Sequence, residues 1–253
     1  MLHTVKRGET LSKIAKVHGL TLAKLLDANP QFTLHPDIIH VGDVLIIPDD
    51  EDVPASDALP PPSLFARKLA SVAEQQHQTF QFVNEADPQL CGQIKTWTED
   101  IGSTFVSCTS NDHPWSAVFV SWCVKAAGAT SSEFKFSKQH SVFVNAAIRN
   151  AINATGVFHG LEITAHRPNV GDIIHHNRGG AQFTFDFART HSQYSSHSVI
   201  VVEISHDSEG PFAFCIGGNE GDAIRQSIVR LTPEGFIRQR GRNPFISVIQ
   251  TLK

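Results

Sequence analysis

A chain of 253 residues is long enough to bury a full core and to hold more than one domain. Hydrophobic residues make up 41% and charged residues 18%, the balance of a globular protein. The formal net charge of −4 argues against a large non-specific nucleic-acid surface, and no apolar run is long enough to span a bilayer, so neither nucleic acid nor membrane is expected as a partner. The first ten residues lack the basic start, apolar centre and small-residue cleavage site of a secretory leader, so synthesis in the cytoplasm is expected. Cys91, Cys108, Cys123 and Cys215 show no close-paired metal spacing. Buried free thiols of a reducing compartment are the favoured reading of them, with a disulfide left open.

The first unit runs to residue 48. A short strand at residues 3–5 leads through the turn Gly8-Glu9-Thr10 into a helix, in which Leu11, Ile14, Ala15 and Val17 share a face and which Gly19 stops. Thr21 can cap a second helix carrying Leu22, Leu25 and Leu26, which ends at Asn29-Pro30. Residues 37–48 read as a loop, a glycine turn and a second strand, completing a βααβ order.

Three runs in this unit, residues 4–15 (Thr-Val-Lys-Arg-Gly-Glu-Thr-Leu-Ser-Lys-Ile-Ala), 25–30 (Leu-Leu-Asp-Ala-Asn-Pro) and 39–48 (Ile-His-Val-Gly-Asp-Val-Leu-Ile-Ile-Pro), closely resemble a LysM module. The resemblance implies binding to N-acetylglucosamine-containing glycans, chiefly peptidoglycan. Its groove would map to Gly8, Glu9, Thr10, Leu11, Asn29, Pro30, Ile38 and Ile39, with Ile38 or Ile39 equally readable as core. One small module of this kind should bind weakly and mainly raise local substrate concentration.

Residues 49–62 are acidic and proline-rich without an apolar face, which reads as a semi-rigid linker. From Ser63, a helix cap, Leu64, Ala66, Leu69, Ala70, Ala73 and Phe80 predict an amphipathic helix to about residue 85, and residues 93–102 a further helix. The stretch from His113 to Gly128 reads as a turn, a polar residue at a helix start, an apolar helix and a glycine stop. Ser116 stands at that start, where free N–H groups and the positive end of the helix favour a nucleophile. Helix 141–154 and a turn into a strand at residues 169–175 follow, then a long loop over residues 177–196. Strands are expected at 198–204, 212–217, 224–231 and 245–252, with a turn at 217–221 between the second and third. Helices first and antiparallel strands later predict an α+β domain over residues 63–253.

Ser116 before the central helix, His197 before one strand and Asn219 after the next are the types of residue that acyl transfer needs: a nucleophile, a base and a group orienting the base. Residues 114–128, 170–174 (Val-Gly-Asp-Ile-Ile), 196–202 (Ser-His-Ser-Val-Ile-Val-Val) and 216–220 (Ile-Gly-Gly-Asn-Glu) are similar in order to the NlpC and CHAP superfamily of papain-like cell-wall peptidases. That resemblance implies nucleophile, base and third polar group at Ser116, His197 and Asn219, and a structural role for Asp172. Most of the superfamily carries cysteine where Ser116 stands. A branch known as a domain of unknown function is similar in its Trp-Ser-Ala, its later histidine (here His140) and its Gly-Gly-Asn turn. Serine leaves three readings: a working serine hydrolase, a binding fold without catalysis, or a Cys→Ser inactivated enzyme. Cys123 cannot substitute, since two helical turns place it roughly 10 Å down the axis.

Trp115, His140, His175 and Glu220 are the further residues expected to line the substrate site, Glu220 doubling as an alternative orienter. Glu203, inside a strand, is expected to face outward. Although the chain has 14 histidines, no His-Glu-x-x-His pattern exists and neighbours such as His175 and His176 point to opposite strand faces, so neither metal nor cofactor is expected. The whole reads as a peptidoglycan hydrolase that cleaves an amide in the stem peptide or at muramoyl-alanine. Its alternative is a non-catalytic wall-binding protein. Without a leader, such an enzyme would reach the periplasm through phage lysis or contact-dependent (type VI-like) secretion, with a secretion component and an immunity protein as further partners.

Overall fold

A computed structural model describes residues 2–253 other than 34, 35, 37, 49–58 and 110–113. The acidic part of the expected linker and the His113 that opens the central stretch therefore lie outside the described residues. The N-terminal unit is built as its sequence pattern requires. Strand β1 (Leu2–Thr4) pairs antiparallel with β2 (Val44–Ile46), and between them lie α1 (Leu11–Val17), α2 (Leu22–Asp27) and a 3-10 turn at Pro30–Phe32. Thr10 and Thr21 cap the two helices by accepting from the N–H groups of Lys13 and Lys24. Leu11, Ile14, Leu22, Leu25 and Leu45 fill the small core.

The remainder is α+β. Helices α3 (Leu64–Phe80), α4 (Pro88–Asp100), α5 (Ser116–Ala127) and α6 (His140–Asn153) precede most of the strands. The sheet comprises β3 (Phe158–Leu161), β4 (Ile173–Asn177), β5 (Ser196–Asp207), β6 (Gly210–Glu220), β7 (Ala223–Arg230) and β8 (Phe245–Thr251), in the order β3-β8-β4-β5-β6-β7 with antiparallel pairs throughout. Helix α5 packs on α3, α4, β5 and β6. It is apolar nearly all round, because both its sides are covered. Trp97 of α4 is fully buried and meets Phe80, Trp115, Phe119 and Trp122 with ring centroids 5.4–6.2 Å apart. Truncating such a ring to alanine costs about 3–5 kcal/mol.

Several expectations shift. Helix α3 stops at Phe80, not near residue 85, and Asp87 caps a separate α4. Strand β3 replaces expected irregular chain, and helix α7 (Phe185–Thr190), capped by Thr184, interrupts the expected long loop. Cys91 and Cys108 form a disulfide, which corrects the free-thiol reading for this pair; Cys123 and Cys215 are free and buried. The chain after α4 doubles back and brings the two Cα atoms to 5.5 Å, a proximity that a 17-residue separation does not announce.

Glu203 does not face solvent. A bulge between Val201 and Glu203 turns its carboxylate toward the backbone of Leu22 and Ala23 at the start of α2, where the N-terminal unit packs on β5. Its Oε1 is buried without a hydrogen-bond partner, and burial raises its pKa to about 7.

Candidate active site

Helices α1, α2, α3, α4 and α7 each begin with a side-chain cap. Helices α5 and α6 do not, and their first residues are Ser116 and His140. The two uncapped ends converge. Ser116 Oγ lies 2.7 Å from His140 Nε2, and both residues are buried at the wall of a cleft of about 750 Å³. The first intrahelical bond of α5 runs from Phe119 N–H to the Trp115 carbonyl, so the N–H groups of the preceding turn stand outside the ladder. Trp115 also lines the cleft, and its indole N–H donates to Glu85 Oε2 at 2.7 Å.

This differs from the arrangement expected from sequence, in which His197 accepts from Ser116. His197 Nε2 instead meets Glu220 Oε1 at 2.9 Å, and its ring stands edge-on to His140 with centroids 5.2 Å apart. Asn219 does not hold His197. It has φ +57° within the irregularity between Gly217 and Glu220 on β6, a left-handed conformation that asparagine tolerates better than most residues. The bulge turns Glu220, not Asn219, toward the histidine. The two preceding glycines are there for space: a Cβ on Gly218 would stand 2.6 Å from Phe119 Cβ and 2.7 Å from Trp115 Cζ3, and one on Gly217 would stand 2.8 Å from Glu220 Oε1.

His175 is fully buried behind the cleft, with Nδ1 on Ser198 Oγ at 2.8 Å and Nε2 on Tyr194 OH at 3.2 Å, so it supports the site without lining it. Asp172 closes its turn through the N–H of Asn169 and meets His166 Nε2 at 2.7 Å. Burial holds His140 and His175 well below the ordinary histidine range and His176 at about 3, so all three are neutral at pH 7. A neutral His140 can accept the Ser116 proton at Nε2 when its own proton sits on Nδ1, an atom that is buried without a hydrogen-bond partner. Among the described residues no group of three or more His, Cys, Asp or Glu could hold a metal ion.

Two cations, Lys138 and Arg178, line the same cleft, and among the described residues no Asp or Glu does. The disulfide supports part of the cleft wall, because Thr104, Phe105 and Ser107, just before Cys108, are lining residues. Neither the pairing of Ser116 with His140 nor the two cations was singled out from the sequence as a working unit. The signals available for His140 were its place beside a helix start and its likeness to the later histidine of the similar branch, which marked it as a substrate contact and not as the partner of Ser116.

In the N-terminal unit, Asn29 is held by the fold. Its amide donates to the Leu25 and Ile46 carbonyls and accepts from Ile46 N–H, so from a buried position it ties α2 to β2. Thr10 is buried as a cap, Glu9 bonds His3, and Ile39 is core. Gly8 takes a left-handed turn at φ +82°, and Pro30 and the half-exposed Ile38 remain accessible.

A glycan-binding type of module and an α+β domain with a serine–histidine cleft thus make up the chain. It belongs to the family described as uncharacterized protein conserved in bacteria (DUF2272), whose model matches residues 76–247. Residues 3–48 match the LysM domain, which identifies the N-terminal unit as a peptidoglycan-binding module. No curated protein matches the chain.

Proposed function

We propose that the chain is a peptidoglycan hydrolase that cleaves an amide of the stem peptide or the muramoyl-alanine bond, with Ser116 as nucleophile. The observation that carries this reading is the 2.7 Å contact between Ser116 Oγ and His140 Nε2 at two helix N-termini beside an open cleft. His140 Nε2 takes the hydroxyl proton as Oγ bonds to the carbonyl carbon. The free N–H groups at the start of α5 stabilise the oxyanion. His140 returns the proton to the departing amine as the C–N bond breaks, and water, activated by the same ring, hydrolyses the ester. His197, held by Glu220, keeps the His140 ring in place by packing against it. This chemistry assigns the base to His140 in place of His197. Lys138 and Arg178 suit a stem peptide, which carries free carboxylates. Such a substrate lies in the wall, and the Cys91–Cys108 disulfide suits an oxidising compartment such as the periplasm.

One observation favours a second reading, a wall-binding protein without catalysis: His140 Nδ1 has no hydrogen-bond partner to orient the ring. Incubation with purified peptidoglycan separates the two. New amine ends that appear with the unsubstituted chain and vanish in Ser116→Ala support the hydrolase. Amine ends that appear only in Ser116→Cys support the silenced enzyme.

A further inference from the structure

The accessible half of the LysM groove does not open to bulk solvent alone. Ile38 borders two depressions against the C-terminal domain, of about 950 and 290 Å³, which also share Arg225 of β7. Gly8, Glu9 and Thr10 line neither of them. The smaller is completed by the turn after α3: Gln81, Phe82, Val83 and Asn84. Phe82 is 66% exposed and Ile38 50%, so an aromatic ring and a branched aliphatic chain stand bare at the same depression. Gln81 is 5% exposed, and its Oε1 is a buried acceptor without a hydrogen-bond partner. An unmet acceptor of this kind costs stability unless something donates to it. Arg225 adds guanidinium donors that have no acid partner among the described residues.

We propose that Ile38, Gln81, Phe82 and Arg225 form one saccharide site shared between the LysM module and the C-terminal domain, which takes an N-acetylhexosamine residue of a glycan strand. Phe82 and Ile38 cover the apolar face of the sugar ring and the acetamido methyl group. The acetamido N–H supplies the donor that Gln81 Oε1 lacks once its amide turns toward the depression. Arg225 donates to ring hydroxyls or to a lactyl carboxylate. The position suits delivery. The next residue of the turn, Glu85, is held by Trp115, which lines the cleft beside Ser116, and its N–H is held by the Asp222 carbonyl. Those contacts connect the proposed sugar site to the cleft wall through a single side-chain pair. The proposal deepens the wall-binding reading and does not depend on Ser116 chemistry.

The test is calorimetric titration of full-length Ser116→Ala protein with the N-acetylglucosamine hexamer, and with the glucose hexamer, which lacks acetamido groups. Phe82→Ala and Gln81→Leu are each expected to weaken the N-acetylated ligand about 3- to 10-fold. The exposed Ile152→Ala on α6 is expected to change nothing, and the glucose hexamer to bind more weakly than its N-acetylated counterpart. Phe82 is exposed, so its loss is expected to leave the melting temperature unchanged and to report binding alone. Unchanged affinity in both variants overturns the shared site while leaving the LysM reading intact. Tighter binding in Phe82→Ala also overturns it, and shows that the C-terminal domain caps the groove instead. Absence of binding by the parent protein overturns the shared site together with the wall-binding reading.

Discussion

Ser116 and His140 are the first residues of the two helices that begin without a side-chain cap at the cleft, and their side chains meet at 2.7 Å. The first turn of α5 is left without a side-chain cap beside the cleft, where a developing oxyanion needs donors and a positive potential. If this pair is the reacting unit, His140→Ala lowers the release of amine ends from peptidoglycan by about 10²–10⁴-fold. His197→Gln, which keeps a polar group near Glu220, lowers it less. Full activity in His140→Ala with loss in His197→Gln would return the role of base to His197.

Gly218→Ala is expected to damage the site without touching a reacting atom. The added methyl group collides with Phe119 and Trp115, the residues that pack behind and beside Ser116. Overpacking of this kind costs about 1–3 kcal/mol and pushes Trp115 toward the cleft. Melting temperature and, on the proposed function, release of amine ends from peptidoglycan should both fall, whereas Gly241→Ala, with open space around its Cβ position, should leave both unchanged.

Charge in the cleft sets a separate expectation. With Lys138 and Arg178 changed together to glutamate, kcat/KM on a stem peptide with free carboxylates should fall roughly 10- to 100-fold. The same peptide with its carboxylates amidated should lose much less. Equal losses on the two substrates would show that these residues do not read the carboxylates.

Stability should fall in acid for an identifiable reason. His140, His175 and His176 are neutral in the fold, with His176 held at about 3, while in the unfolded chain each takes up a proton below about 6.5. The unfolded state therefore binds more protons as pH falls from about 6.5 toward 3, and folded stability is lost across that window. Glu203 has the opposite sign. Its folded pKa of about 7 lies above the unfolded value, so its penalty is absent below about 4.5 and complete above 7. Glu203→Gln should raise the melting temperature at pH 8 and change little at pH 4, which a thermal scan at the two pH values reads directly.

Reduction should act through the cleft wall. The Cys91–Cys108 bridge closes a 17-residue separation, for which the chain-entropy account gives about 3 kcal/mol. Dithiothreitol, or Cys91→Ser with Cys108→Ser, is expected to lower the melting temperature and the activity together. The buried Cys123 and Cys215 should stay unreactive toward thiol reagents in the native protein. Full activity after reduction would separate the bridge from the working cleft.

Much was legible in the sequence because it is local. Helix caps at Thr10, Thr21 and Ser63 act over three residues, and the apolar spacing of α1, α3 and α5 acts over four, so a short window contains both partners. The LysM motif lies in one continuous run for the same reason. The α+β order followed from where helical and alternating patterns stand along the chain. The position of Ser116 at a helix start was visible too, from the Pro-Trp before it and the glycine after it. What only the tertiary structure decided was which group each of these faces. Ser116 meets a histidine 24 positions away because two helix ends point into one cleft. His197 takes Glu220 instead of Asn219 because a bulge shifts the register of β6 by one side chain. Asn29 belongs to the fold and Glu203 to a buried interface because packing, not residue type, determines what is left exposed. The pairing of side chains far apart in sequence depends on helix crossings and strand register, to which every element contributes, so no single stretch of the chain records it.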